Sequence, residues 1–406
     1  MTHKAGVQIL VVTYWARRDP LVVNYVLPYV ERMRKVAPAG SRVHLVTLEP
    51  GSATTRHGEG GGFIHHPFAY KAFGLSGFLM LLKVVWRLSR LVRQEQIDVI
   101  HAWCMPAGMI GYLLAKLSGK KLILDSYEPH AEAMVENGTW RKGGLAFRIL
   151  FHFEKRQTRR AWAVVSATEG MRTYALQRYG MVPARFAVKP ACVDLERFTL
   201  GRGKNAELLA DLGLQDKLVA VYAGKFGGIY LAQEVFDLFR AARDHWGERL
   251  HVVLLTSHGQ EELGPYITKA GLPPGMFTIR HVQPEEVPDW MGLADWALTP
   301  VKPVPTKRYC TPIKDGEYWA MGLPVMITRD ISDDSAIIEQ EQIGCVIPSL
   351  DRAGYTQAVS AMDELLRSQD REGLRTRIRR VAERYRNFSI ADAVYRDLYG
   401  QGADHT

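Results

Sequence analysis

Cysteine is scarce. The four in 406 residues, Cys104, Cys192, Cys310 and Cys345, are scattered, and no two stand at a metal-ligand spacing. A disulfide scaffold and a zinc site are therefore not expected, and a reduced cytoplasmic protein is. No Asp-x-Asp pair occurs anywhere, so no metal requirement is predicted. The glycine-rich stretch 51–63 fails both the dinucleotide and the P-loop spacings, which leaves it as an acceptor-side lid or a surface insertion. The first residues run straight into Val7-Gln8-Ile9-Leu10-Val11-Val12, too short for the apolar core of a signal peptide.

What is present is ordinary globular composition, 47% hydrophobic and 23% charged with a net charge of +9. A chain of this length exceeds one core and fits two domains of about 200 residues. The positive balance suits nucleic acid, an anionic membrane or an anionic substrate. Its local clusters, Lys155, Arg156, Arg159, Arg160 and Arg375, Arg377, Arg379, Arg380, read as solvated helix faces, and no nucleic-acid partner is expected.

Short Val-, Ile- and Leu-rich runs at 7–13, 43–47, 97–102, 121–125 and 162–166 alternate with helix-length segments. This predicts a doubly wound α/β domain with its ligands at the carboxyl ends of the strands. Those ends carry the candidates Arg17 and Arg18 after the first strand, His101 after the third, and Asp125, Glu128 and His130 after the fourth. For the arginines, a phosphate-binding fork and a plain surface pair both fit. For His130 a contact to sugar or acceptor competes with a loop histidine, while His101 reads as structural. The segment 73–93 combines Phe78, Leu79, Leu82 and Trp86 with Lys83, Arg87, Arg90 and Arg93. It fits a helix packed on the sheet or an interfacial helix on an anionic membrane.

A second α/β unit opens with Leu218–Ala223 and the turn Gly224-Lys225-Phe226-Gly227-Gly228. Runs near 251–256, 277–281 and 296–300 continue its sheet. Glycine at such a turn lets backbone approach phosphate. The predicted boundaries are 1–200 for the first domain, 201–216 for a linker, 217–386 for the second domain, and 387–406 for a helix returning to the first.

Residues 303–328 carry the densest chemistry. Thr311 suits a helix N-cap and Pro312 the first helical position, with Gly322 and Pro324 closing a helix over 312–321. Its free N–H groups, with Lys307, Arg308 and Lys314 beside them, make an anion site. Glu317 lies one turn in, among apolar residues, where a carboxylate needs a partner. A vicinal diol would serve, and so would Lys314 or Arg308. Asp333-Asp334-Ser335 reads as a helix cap.

The series Pro312-x-Lys314-x-x-Glu317-Tyr318-x-Ala320-x-Gly322-x-Pro324-Val325 resembles the nucleotide-sugar signature of the GT-B-fold retaining glycosyltransferases of family 4. Asp98-x-x-His101, Lys189-Pro190-x-x-Val193-Asp194 and His281–Pro300 resemble other segments of the same family, in the same order along the chain. The resemblance implies two Rossmann-like domains facing a cleft, and Glu317 holding the donor ribose. Lys225, Lys314 and Arg308 would meet the diphosphate, aided by Gly224 and the 311–313 backbone of Thr311, Pro312 and Ile313. The backbone of Val282 and Gln283 would support the base, and the acceptor would lie near Arg17, Arg18, Asp125, Glu128 and His130. The family's first signature glutamate falls on Tyr309, and a lysine it often has six residues after Lys225 falls on Leu231. The implied function is a metal-independent, retaining transfer from a nucleotide-diphosphate sugar to a saccharide or lipid-linked hydroxyl. No cofactor is expected beyond that co-substrate, and localisation is cytoplasmic with peripheral contact to an anionic membrane face. A nucleotide-sugar epimerase on the same fold, or a decayed binding protein, remain the rival readings.

Overall fold

The computed structural model describes residues 6–400 except 52–57, 60–61, 72–73 and 369. The chain divides into two compact units, residues 1–189 with 389–406, and residues 190–388.

In the first unit, fully buried apolar runs become strands. The strands are β1 Gln8–Val12, β2 Arg42–Glu49, β3 Gly58–Glu59, β4 Ile64–Ala69, β5 Val99–Trp103, β6 Lys121–Tyr127, β7 Ala163–Ser166 and β8 Phe186–Val188. Their order is β3-β4-β2-β1-β5-β6-β7-β8. All neighbours are parallel except the short β3, which pairs antiparallel with β4. Ile9, Leu10, Val11 and Val12 of β1 are completely buried, as expected for a parallel strand covered on both faces. The glycine-rich stretch contributes β3, and the rest of it falls largely outside the described residues.

The second unit holds β9 Leu218–Ala223, β10 Leu250–Leu255, β11 Phe277–Arg280, β12 Trp296–Thr299, β13 Val325–Thr328 and β14 Gly344–Ile347. Its parallel order β11-β10-β9-β12-β13-β14 reverses direction between β9 and β12. This is the doubly wound arrangement, whose ligands bind at that switch point. Strand alternation sorts the core into two layers. Leu218, Ala220 and Tyr222 of β9 face one cluster with Phe236 and Phe239, while Val219, Val221 and Ala223 face another with Tyr318 and Trp319. The predicted linker 201–216 is not a spacer. It forms the helix Ala206–Asp211, and Leu209 and Leu214 are buried in the second unit.

Candidate functional site

The switch point is built from two loops laced together. Backbone bonds run from Leu231 N–H to the Pro300 carbonyl (2.8 Å) and from Lys302 N–H to the Ile229 carbonyl (3.0 Å), joining the segment after β9 to the segment after β12. Leu231 is only 4% exposed and sits in the core. Where the family often has a lysine, this chain has a core position. Gly224 follows directly on β9, and a Cβ there would lie 2.7 Å from the Tyr222 hydroxyl. That hydroxyl donates to the Lys225 carbonyl. Gly227 and Gly228 then turn the chain at φ of 78° and 62°, which glycine adopts without strain. The Lys225 side chain is left exposed, and among the described residues nothing pairs with its ammonium.

Facing it is the helix Ile313–Ala320. It begins one residue later than the sequence predicts. Pro312, in an extended conformation at ψ 125°, is the cap residue, and no side chain caps the helix. Thr311 is not the cap, because its hydroxyl meets Ser332 Oγ at 3.2 Å. Tyr318 pins the helix to the sheet, its hydroxyl accepting from Ala223 N–H at 2.9 Å. This one bond ties the helix that carries Lys314 and Glu317 to the residue before Gly224. Burial holds the Tyr318 phenol well above its ordinary pKa, so it stays a neutral acceptor.

Lys314 Nζ lies 3.0 Å from Glu317 Oε2, with the carboxylate side chain 14% exposed and the lysine 37%. Glu317 takes the local partner that its position allows, three residues before it on the same helix. Arg308 is turned elsewhere, pairing with Asp330 at 3.1 Å on the surface. Tyr309 closes the short 3-10 turn Pro305–Tyr309, and Ile313 is half-buried.

Beyond β10 and β11 lies a cavity of about 480 Å³, lined in part by Thr256, His258, Arg280 and His281. His258 Nε2 accepts from Phe226 N–H at 3.3 Å, which links this cavity to the Lys225 turn. Val282, the residue after the lining His281, packs on the core. The Gln283 N–H is already used, donating to Glu286 at 2.9 Å, so among the base-side backbone groups it is not free.

In the first unit, Glu128 and His130 stay together after β6, with Oε1 and Nδ1 3.1 Å apart and both side chains partly exposed. Arg18 is exposed. Arg17 lies 5.4 Å from the Phe63 ring, and its N–H donates to Glu49. Asp125 overturns its prediction as an accessible acceptor residue. It is buried, ion-paired to Lys189 at 3.3 Å, and bonded to His101 (3.1 Å) and Tyr395 (2.7 Å). Tyr399 completes the chain at His101 Nδ1, 2.9 Å away. The carboxylate is satisfied from inside, so it has no reason to face a ligand. Of Asp333-Asp334-Ser335, Asp333 is the N-cap residue of the helix Asp334–Gln340, and Asp334 is buried against Arg386.

Sequence reasoning missed the roles of Tyr318, Lys189 and Asp315, which depend on neighbours distant in the chain, and that of Tyr222, whose hydroxyl reaches the Lys225 carbonyl only in the folded turn. Tyr318 and Lys189 did stand inside the family-like segments 312–325 and 189–194, but nothing in those segments showed what each would contact.

Residues 22–197 match the model of Glycosyltransferase Family 4. No curated protein sequence matches the chain. Among solved structures it is similar to the sucrose-phosphate synthase of Thermosynechococcus elongatus, at 14% identity and a TM-score of 0.73 over 97% of this chain and 98% of that one. It is also similar to Anabaena HepE in complex with UDP (13%, 0.72, 97% and 100%). A third is WaaG, a glycosyltransferase involved in lipopolysaccharide biosynthesis (14%, 0.71, 97% and 100%). Residues 22–197 thus match the family 4 glycosyltransferase model, and the fold along the chain is that of the GT-B structures it resembles.

Proposed function

We propose that the protein transfers a sugar from a nucleotide-diphosphate donor, bound at the β9–β12 switch point, to a hydroxyl of a saccharide or lipid-linked acceptor, with retention and without a metal. The observation that carries this reading is the Tyr318–Ala223 bond, which holds the Lys314–Glu317 helix against the Gly224-Lys225 turn. A diphosphate there meets the unpaired Lys225, the open N-terminus of the helix and Lys314. Developing charge on the leaving group is then stabilised by fixed cations and dipoles. Glu317 exchanges Lys314 for the donor ribose, and Lys314 turns to phosphate. Val282 borders the base. The HepE structures contain UDP and UDP-glucose, which makes a uridine donor the first to try.

The acceptor belongs to the first unit, near Arg17, Arg18, Glu128 and His130. We place it at a cytoplasmic membrane face, with the protein bound peripherally. Support comes from the helix Leu75–Gln94. Its Val84, Val85, Leu88 and Val92 are buried, whereas Leu75, Phe78, Leu79, Leu82 and Trp86 are exposed. None of the described helices is long and apolar enough to cross a membrane.

Calorimetry with a panel of nucleoside diphosphates and nucleotide sugars, in chelator, tests the donor site. Glu317→Ala should weaken the bound nucleotide by about 1–3 kcal/mol, roughly 5- to 150-fold. Donor binding that needs added divalent metal, or that ignores Glu317, contradicts the reading. The anomeric configuration of the first product, read by NMR, decides retention.

A further inference from the structure

Beneath the donor helix lie two carboxylates that no surface role explains. Asp315 stands between Lys314 and Glu317 and is fully buried, and Asp334 is 2% exposed. They face one another within hydrogen-bonding reach. Asp315 Oδ1 accepts from the Thr299 hydroxyl at the end of β12. Asp334 Oδ1 accepts from Arg386. Each has one oxygen left, Oδ2, and no donor reaches either.

Two buried acceptors facing each other without a hydrogen cannot both stay charged, since like charges at such range repel strongly in a dry interior. One guanidinium balances one carboxylate. A single proton between the pair would satisfy both orphaned oxygens at once and bring the cluster to neutrality.

We propose that Asp315 and Asp334 share one proton through their Oδ2 atoms, and that Asp315 is thereby a positioning residue for Lys314 and Glu317 in donor binding. The role rests on the donor reading given above. The mechanical connection is short. Asp315 is one residue from Lys314 and two from Glu317, and Gly316 lets Arg386 and Val193 pack on the same turn, where a Cβ would stand 3.3 and 3.5 Å from them. Arg386 is itself held by the Ala191 carbonyl (3.3 Å) and lies 5.1 Å from the Trp319 ring. The other titratable groups facing Asp315 are the phenols of Tyr230 and Tyr318, both kept neutral by burial. Burial and the Asp334 carboxylate push the Asp315 pKa well above the ordinary range, the direction that favours a proton held within the pair. Losing it places a second negative charge under the turn that holds the cations, and donor affinity falls.

Two measurements test this. Infrared spectra without nucleotide should show the carbonyl stretch of a protonated acid that disappears in Asp315→Asn. Calorimetric titration with the nucleoside diphosphate that binds best should show affinity dropping about tenfold or more on the alkaline side. Asp315→Asn donates an amide hydrogen to Asp334 and keeps the Thr299 bond, so it should flatten that pH profile. It should also restore most of the affinity lost in Asp315→Ala. An unchanged infrared band in Asp315→Asn, or identical pH profiles for it and wild type, overturns the proposal. Failure of the donor reading looks different: no nucleotide binds either protein at any pH, while the infrared result stands alone.

Discussion

Lys189 and Asp125 form an ion pair at 3.3 Å with both side chains only 1% exposed. The ammonium lies 3.8 Å from the Tyr29 ring centroid and 4.8 Å from that of Trp103. Aromatic faces and one carboxylate thus replace water around a buried cation. Burial alone would raise the Asp125 pKa, but Lys189, His101 and Tyr395 outweigh it and pull the carboxyl down to about 2 from 3.8. A depressed carboxylate stabilises the fold above its ordinary pKa and ceases to as pH falls through the folded value. Stability should fall by about 2 kcal/mol between roughly pH 4 and 2 through this group. Lys189→Met leaves the carboxylate unpaired and should cost about 3–5 kcal/mol in urea unfolding. Hydrogen exchange should then rise in the helix Phe388–Gly400, since Tyr395 and Tyr399 join this network.

At the donor site, Lys225 and Glu317 should separate by ligand. Lys225→Met removes an exposed cation that serves no structural partner, so stability should change by less than about 0.5 kcal/mol. Affinity for a nucleoside diphosphate should fall about tenfold, while the same nucleoside without phosphate binds equally well. Equal losses for both ligands would move Lys225 away from the diphosphate.

The strands were readable where burial is two-sided, as in Leu218–Ala223 and Leu250–Leu255, because such strands are uninterrupted apolar runs. Ile64–Ala69 was not. It contains Pro67 and two histidines that read as loop, yet His66 meets His44 at 3.1 Å and His65 meets Thr47 at 2.8 Å on the neighbouring strand. Its polar groups are satisfied across the sheet, a relationship local pattern cannot show. Glu317 and Lys225 were singled out by the resemblance of their surroundings to the family signature, and their roles belong to the proposed function. Asp125 was misread because a carboxylate at a strand end looks accessible until its buried partner, here Lys189, arrives from far along the chain.

Glu154 makes a second, oppositely signed prediction. Buried between Ala131 N–H (2.8 Å) and the Tyr179 hydroxyl (3.0 Å), it supports the start of the helix that His130 opens. Burial pushes its pKa up to about 8. Between the unfolded value and about 8 the folded protein keeps a proton that the unfolded chain has lost. Stability therefore falls as pH rises through this window, by about 1.4 kcal/mol per unit at most. Glu154→Gln keeps the shape without the titration, so its melting temperature should decline less than that of wild type from pH 5 to 8. Parallel decline in both proteins would assign the slope to other groups.

The helix Leu75–Gln94 has two apolar stripes, and only one is buried among the described residues. Leu75, Phe78, Leu79, Leu82 and Trp86 follow i, i+3, i+4, i+7 and i+11 spacing, so they share a face. They are 49–77% exposed. Lys83, Arg87 and Arg90 border this stripe, and the helix contains no acidic residue. Such a face costs free energy in water and gains it at an anionic interface, where the apolar side chains insert and the cations meet headgroups. Co-sedimentation should therefore show binding to vesicles containing anionic lipid, with little to zwitterionic ones, weakening as salt rises. Leu79→Asp with Leu82→Asp should reduce that binding about tenfold or more. Both positions face solvent, so the fold and nucleotide affinity should be untouched. Lys83→Glu with Arg87→Glu should weaken binding chiefly at low salt, because screening removes the electrostatic part first. Equal binding to neutral and anionic vesicles would leave insertion as the sole force, and no binding to either would show that this stripe serves something other than a lipid surface.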